Sequence, residues 1–163
     1  MRLFKAVLLL LGAVFLVLLD VSFFANLTFG GANIMSCFIF AILLSLTLDE
    51  KYLVFIISSA LALTFLSSLP VLTILLGMIL LPAALRFLRE SFFPEPTVLT
   101  FPIYIVSASL MFELLLVATA GEFSMAAVLP VVYFVLINSI AATAIFVICA
   151  KASRALSPNK IKI

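Results

Sequence analysis

The 163-residue chain contains no histidine and no tryptophan, only two cysteines, and charged side chains at just 10% of positions. Without histidine there is no Ser/His or Cys/His nucleophile pair and no imidazole metal ligand. Cys37 and Cys149 are too few for a zinc-binding set, and the six-span topology derived below puts one near the outer and one near the inner surface, out of disulfide reach. The five glycines form no phosphate-cradling loop. A Ser/Lys nucleophile inside the bilayer needs a lysine within an apolar run, and every lysine lies at or beyond the ends of those runs. The seven acids are scattered, whereas enzymes acting on lipid phosphates gather several Asp, Glu or Arg residues together. The chain is therefore expected not to be an enzyme, with no catalytic residue, no metal site, no cofactor and no nucleic-acid partner.

What the chain does contain is apolar: 67% hydrophobic residues and a mean hydropathy of +1.47. A soluble domain of this size cannot be built from that composition, so an integral membrane protein is expected. Alternating amphipathic strands of barrel length are absent, which leaves helices to satisfy the backbone in lipid. At about 20 apolar residues per span, the chain has room for roughly five to seven spans.

The expected architecture is all-α, one compact six-helix transmembrane domain over 1–163. Spans fall at about 4–26, 33–48, 52–68, 70–88, 98–120 and 125–150, followed by a basic cytoplasmic tail, 151–163. Arg2 and Lys5 before an apolar run resemble a signal peptide, but the run continues through Asp20 to Leu27 without a convincing cleavage site, so it reads as a retained span. Gly30 and Gly31 mark the first reversal, Asp49 to Lys51 a surface loop, and Gly121 to Ser124 the last turn. Pro70 suits the first turn of span four, and Pro82 should bend that span. Pro102 belongs in the first turns of span five, and Pro130 lies near the start of span six. Six spans with both termini inside place all nine Lys and Arg residues in cytoplasmic segments and none in the outer loops, the positive-inside pattern.

The same topology fixes the depth of two carboxyls. Asp20 and Glu113 both fall roughly 10 Å beneath the outer surface, at about 1.5 Å per residue. An ionisable group inside a span is by default a functional-site hypothesis that needs a partner. Either the two share one polar site in the outer half of the bundle, with Asn138 somewhat deeper, or each separately faces a water-filled notch or snorkels to the headgroups. Val106, Ser109, Glu113 and Ala120 share one helical stripe, which suggests a face packed against protein. Ser139, Ala142 and Thr143 on span six are small enough for another helix to approach closely. The segment from Arg86 through Arg89 to Pro96 reads as a basic, proline-broken cytoplasmic loop. Seventeen Phe residues read as lipid-facing and core-packing material.

These features together resemble a known family. A short basic amino terminus, a first span ending Leu19-Asp20-Val21-Ser22, four central spans, a basic segment L-R-F-L-R-E-S-F-F and then Phe112-Glu113-Leu114-Leu115 look like MreD, the small rod-shape-determining membrane protein of bacteria. Two positions depart from the family pattern. Asp20 stands where Gln is common, and Ala32-Asn33 replace the usual Pro-Asp before span two. The resemblance implies a non-enzymatic inner-membrane subunit of the cell-elongation machinery. It would bind MreC, a single-span membrane protein, and help couple a cytoskeletal filament protein to the peptidoglycan synthases. Asp20, Glu113, Asn138 and Ser109 would then be structural or interface residues. The alternative is a substrate-binding subunit of a vitamin or small-molecule importer, whose six-span fold is similar to that of MreD. A pocket of a few hundred Å³ in the outer half would favour that alternative, and a closed outer half would oppose it.

Overall fold

The computed structural model describes residues 2–28, 32–47, 52–92, 97, 100–121 and 128–156. Helix α1 (Arg2–Ser22) leads through a 3-10 turn (Phe24–Asn26) to α2 (Ser36–Thr47) and α3 (Tyr52–Leu66). There follow α4 (Val71–Leu75), a π-helical turn (Leu76–Leu80) and α5 (Leu81–Phe92), which together make one unbroken helix. Helices α6 (Phe101–Ala120) and α7 (Val128–Leu156) complete the bundle. The all-helical expectation holds among the described residues. The sequence stretches expected at Gly30 and Gly31, Asp49 to Lys51, Pro94 to Pro96, Glu122 to Ser124 and 157–163 lie outside them.

Among the described residues, four helical stretches are long and apolar enough to cross a membrane: Ala6–Asn26, Val71–Ser91, Phe101–Thr119 and Val128–Lys151. The apolar helices Ser36–Thr47 and Tyr52–Leu66 are shorter. At about 1.5 Å per residue, α2 is about 18 Å long, less than a hydrocarbon core of about 30 Å.

That short helix is the centre of the molecule. Nine of its twelve residues are buried, and it touches α1, α3, α5 and α7. A helix apolar on every side is a helix surrounded on every side. Around it, α1 lies along α3 and α6 lies along α7. Outward-facing Phe4, Phe15, Phe65, Phe87 and Ile140 coat the bundle, whereas Phe38, Phe101 and Phe112 are fully buried.

Helix ends follow local chemistry. Pro70 sits just before α4 rather than inside it, with φ −57° and ψ 132°. Pro102 occupies the first turn of α6, where its missing N–H is harmless, and Gly121 ends the helix in the left-handed region at φ 72°. Pro82 perturbs its helix as a π turn over the preceding residues, Leu76–Leu80. A proline ring crowds the carbonyl four residues back, and a π turn relocates those carbonyls. Within that turn Gly77 admits the Phe112 ring so closely that a Cβ there would stand 2.4 Å from two of its carbons.

Two expected boundaries are corrected. Arg86 and Arg89 lie in α5 and not in a loop, because the Arg86–Glu90 pair at 2.8 Å supports one more turn and no proline intervenes before Pro94. Likewise α7 runs on through Lys151 to Leu156, so the basic tail begins as helix. Charge marked the edge of the apolar run, not the end of the helix.

Candidate functional site

The amino end of α2 lies inside protein, so its unpaired N–H groups need partners from other helices. At the amino end of α2 those partners are Asp20 and Asn138. Asp20, on α1, accepts hydrogen bonds from the Ser36 N–H (2.8 Å) and Ser36 hydroxyl (2.5 Å) with one oxygen, and from the Cys37 N–H (2.8 Å) with the other. It is an N-cap supplied from across the bundle, with a carboxyl placed at the positive end of the helix dipole. Asn138, on α7, accepts from the Met35 N–H (3.0 Å) and donates to the carbonyls of Asn33 (3.2 Å) and Phe134 (2.9 Å). Together the two side chains hold the non-helical stretch Asn33–Met35, the kind of backbone that membranes tolerate only where protein satisfies it.

The carboxyl end of α2 mirrors this arrangement with the opposite charge. Arg89 donates from Nη1 to the Leu46 carbonyl, placing a cation at the negative end of the dipole. Beside it, the Arg86 guanidinium lies 4.9 Å from the Tyr52 ring centre. Arg89 also approaches Glu90 at 3.7 Å. Ser59 and Thr64 on α3, and Ser67 just past its end, bond back to carbonyls of that helix.

Glu113 has a different environment. It is 8% exposed, and no hydrogen-bond donor among the described residues reaches it. It lines a cleft of about 520 Å³ at the same end of the bundle as Asp20, walled by Phe112, Leu116, Phe134 and the last turn of α3. The structure thus brings Asp20 and Glu113 to one place without joining them. The first faces a helix terminus, and the second faces open space. Ser109, one turn further along α6, is completely buried with its hydroxyl unpartnered. Val106 leaves the expected stripe: it is 41% exposed, because the buried face of α6 runs through Ile105, Ala108, Ser109, Phe112 and Glu113. The side chain of Ala120 lies outside the described residues.

Phe112 positions this region. Its ring centre lies 4.8 Å from that of Phe38 and 5.9 Å from that of Phe134, and its edge fills the notch over Gly77. Gly77 was not singled out from sequence, although a glycine five residues before a proline in an apolar helix is the signal that could have found it. Asn33, noted in the sequence only as a departure from the family pattern, lines the cleft, and its Oδ1 is buried without a partner.

A second concavity, of about 630 Å³, runs along α7 between Leu136, Ile140 and Ile148, with Ser139, Thr143 and Ala144 as its floor. Ala142 points the other way, into the core. No family model, curated protein or solved structure matches the chain.

Proposed function

We propose that the protein is a non-enzymatic, MreD-type subunit of the bacterial cell-elongation machinery, working in the inner membrane by holding a single-span partner such as MreC. In this reading the six apolar helices make up the membrane domain with both termini cytoplasmic, the two shorter ones crossing together with their flanking segments. The positive-inside distribution of Lys and Arg supports that orientation. The observation that carries the partner-binding role is the groove along α7. Small residues flanked by Leu136, Ile140 and Ile148 form a surface on which one further helix can pack at close range.

The resemblance gains support from its own exceptions. A carboxyl immediately before span two is absent here, and one reaching from the end of span one caps that helix instead. Asp20 and the missing Pro-Asp are then one exchange rather than two unrelated departures. In the Phe112-Glu113-Leu114-Leu115 stretch, Phe112 locks the core while Leu114, 47% exposed, faces outward.

The 520 Å³ cleft favours a second reading, the small-molecule-binding subunit of an importer. Affinity purification in mild detergent, with mass spectrometry of proteins and bound small molecules, separates the two. An MreC-like single-span protein and cell-wall synthases should co-purify, and Ser139→Leu, which fills the α7 groove, should cut recovery of the single-span protein about tenfold. Recovery of an ATPase pair in their place overturns the proposal and leaves the importer subunit.

A further inference from the structure

We infer that the cleft beside Glu113 binds a small organic cation, an amine with an apolar body, and that Glu113 rather than Asp20 is the carboxyl that receives it. The inference goes beyond the partner-binding role and is compatible with either reading of function. It names the ligand chemistry of a site that a shape-determining subunit could use as a sensor and an importer subunit as its substrate pocket.

The argument starts from unsatisfied groups. Glu113 is buried to within 8% among Phe112, Leu116 and Phe134, its side chain lines the cleft, and no donor among the described residues reaches it, so a ligand that brings one finds a free acceptor. The buried side-chain atom without a partner at this cleft, Asn33 Oδ1, is also an acceptor. Both groups ask for donors. Asp20 lines the same space, but its two oxygens already accept three hydrogen bonds from Ser36 and Cys37. It is a fixed part of the scaffold and is not available as the binding carboxyl.

Charge points the same way. None of the described residues that line the cleft is Lys or Arg, whereas Arg86 and Arg89 sit at the opposite end beside Leu46 and Tyr52. With no cation among the lining residues to pair with Glu113, the field at the cleft favours a cation from outside. A volume of about 520 Å³ lies within the range of small-molecule sites, and the walls are mainly apolar, so the occupant needs an apolar body as well as a cationic head. Phe112 and Phe134 add aromatic surface, which attracts ammonium groups.

The test uses the full chain reconstituted in lipid nanodiscs, with empty nanodiscs subtracted, and calorimetric titration of tryptamine and phenethylamine. Their neutral and anionic counterparts, phenethyl alcohol and 3-phenylpropionate, serve as comparison probes. The expected result is saturable one-to-one binding of at least one amine with Kd below about 1 mM, and no saturable binding of the neutral or anionic probe. Glu113→Gln, which keeps the shape, should weaken the amine by about tenfold or more. Leu66→Trp, at the partly exposed rim, should block it while leaving the carboxyl in place; it serves as the second variant should Glu113→Gln fail to fold. Failure of both amines to bind, equal binding of the neutral probe, or unchanged amine affinity in a folded Glu113→Gln overturns the inference. None of these outcomes bears on which protein co-purifies, so the cleft and the partner-binding role fail separately.

Discussion

The sharpest structural consequence concerns Asp20. Replacing it with Asn keeps size and shape, leaves one oxygen to accept from Ser36, and turns the other contact into an amide N–H facing the Cys37 N–H. One hydrogen bond to a charged acceptor is lost, worth about 1.5–3 kcal/mol, and the carboxyl at the helix dipole disappears as well. A combined loss of about 2–3 kcal/mol corresponds to a roughly 30- to 150-fold rise in opening of the α2 amino terminus. Cys37 reports that opening directly, since its own N–H is the donor involved and its side chain is completely buried.

The assay is the rate of labelling by a thiol-reactive dye in mild detergent, in a Cys149→Ser background because Cys149 is exposed. Parent protein should label slowly, Asp20→Asn faster by the factor above, and Ser36→Ala, which loses only the hydroxyl contact, by a smaller factor. Equal labelling rates for Asp20→Asn and the parent would show that the interhelical cap does not hold the centre of the bundle, and the account of α2 given above would be wrong.

Two further changes probe the same region. Asn138→Leu is close to isosteric but strands the Met35 N–H and the Asn33 carbonyl, so thermal unfolding in detergent should show a loss of about 2–4 kcal/mol; no loss would mean that water satisfies the stretch instead. Gly77→Ala should cost about 1–3 kcal/mol by forcing the Phe112 ring aside, whereas Gly12→Ala, which meets no heavy atom within 4 Å, should cost nothing; equal stabilities would remove the close approach from the account.

Much of the fold was legible because membrane helices announce themselves by composition. Every apolar segment expected from sequence is a helix, and Asp20, Glu113 and Asn138, singled out as polar groups in apolar runs, do converge on one end of the bundle. Boundaries were less legible where composition and conformation part company. Residues 33–35 are as compatible with a helix as residues 36–47, and Asn33 and Ser36, both preferred N-cap types, give no hint that the capping group comes from another helix. Arg86 and Arg89 look like loop residues because charge marks the edge of the apolar run, yet a helix continues past that edge until something breaks it. Val106 illustrates a third limit. Helical spacing places it near the Glu113 stripe, but which face is buried also depends on which neighbours stand at that level of the helix.

The two carboxyls show most clearly what sequence withholds. Each is an acid flanked by apolar residues in the second half of a long helix, and nothing local distinguishes them. Their roles diverge because of what lies opposite. Across from Asp20 stand the unpaired N–H groups of a helix that is too short to hide its own terminus, so the carboxyl is consumed by the fold. Across from Glu113 stands an apolar wall that includes Leu63, Leu66 and Phe134, so no donor among the described residues reaches the carboxyl. An acceptor that the fold leaves without a donor is free to take one from a ligand. That is why the cleft beside Glu113, and not the better-bonded cluster around Asp20, is the place to look for what this protein binds.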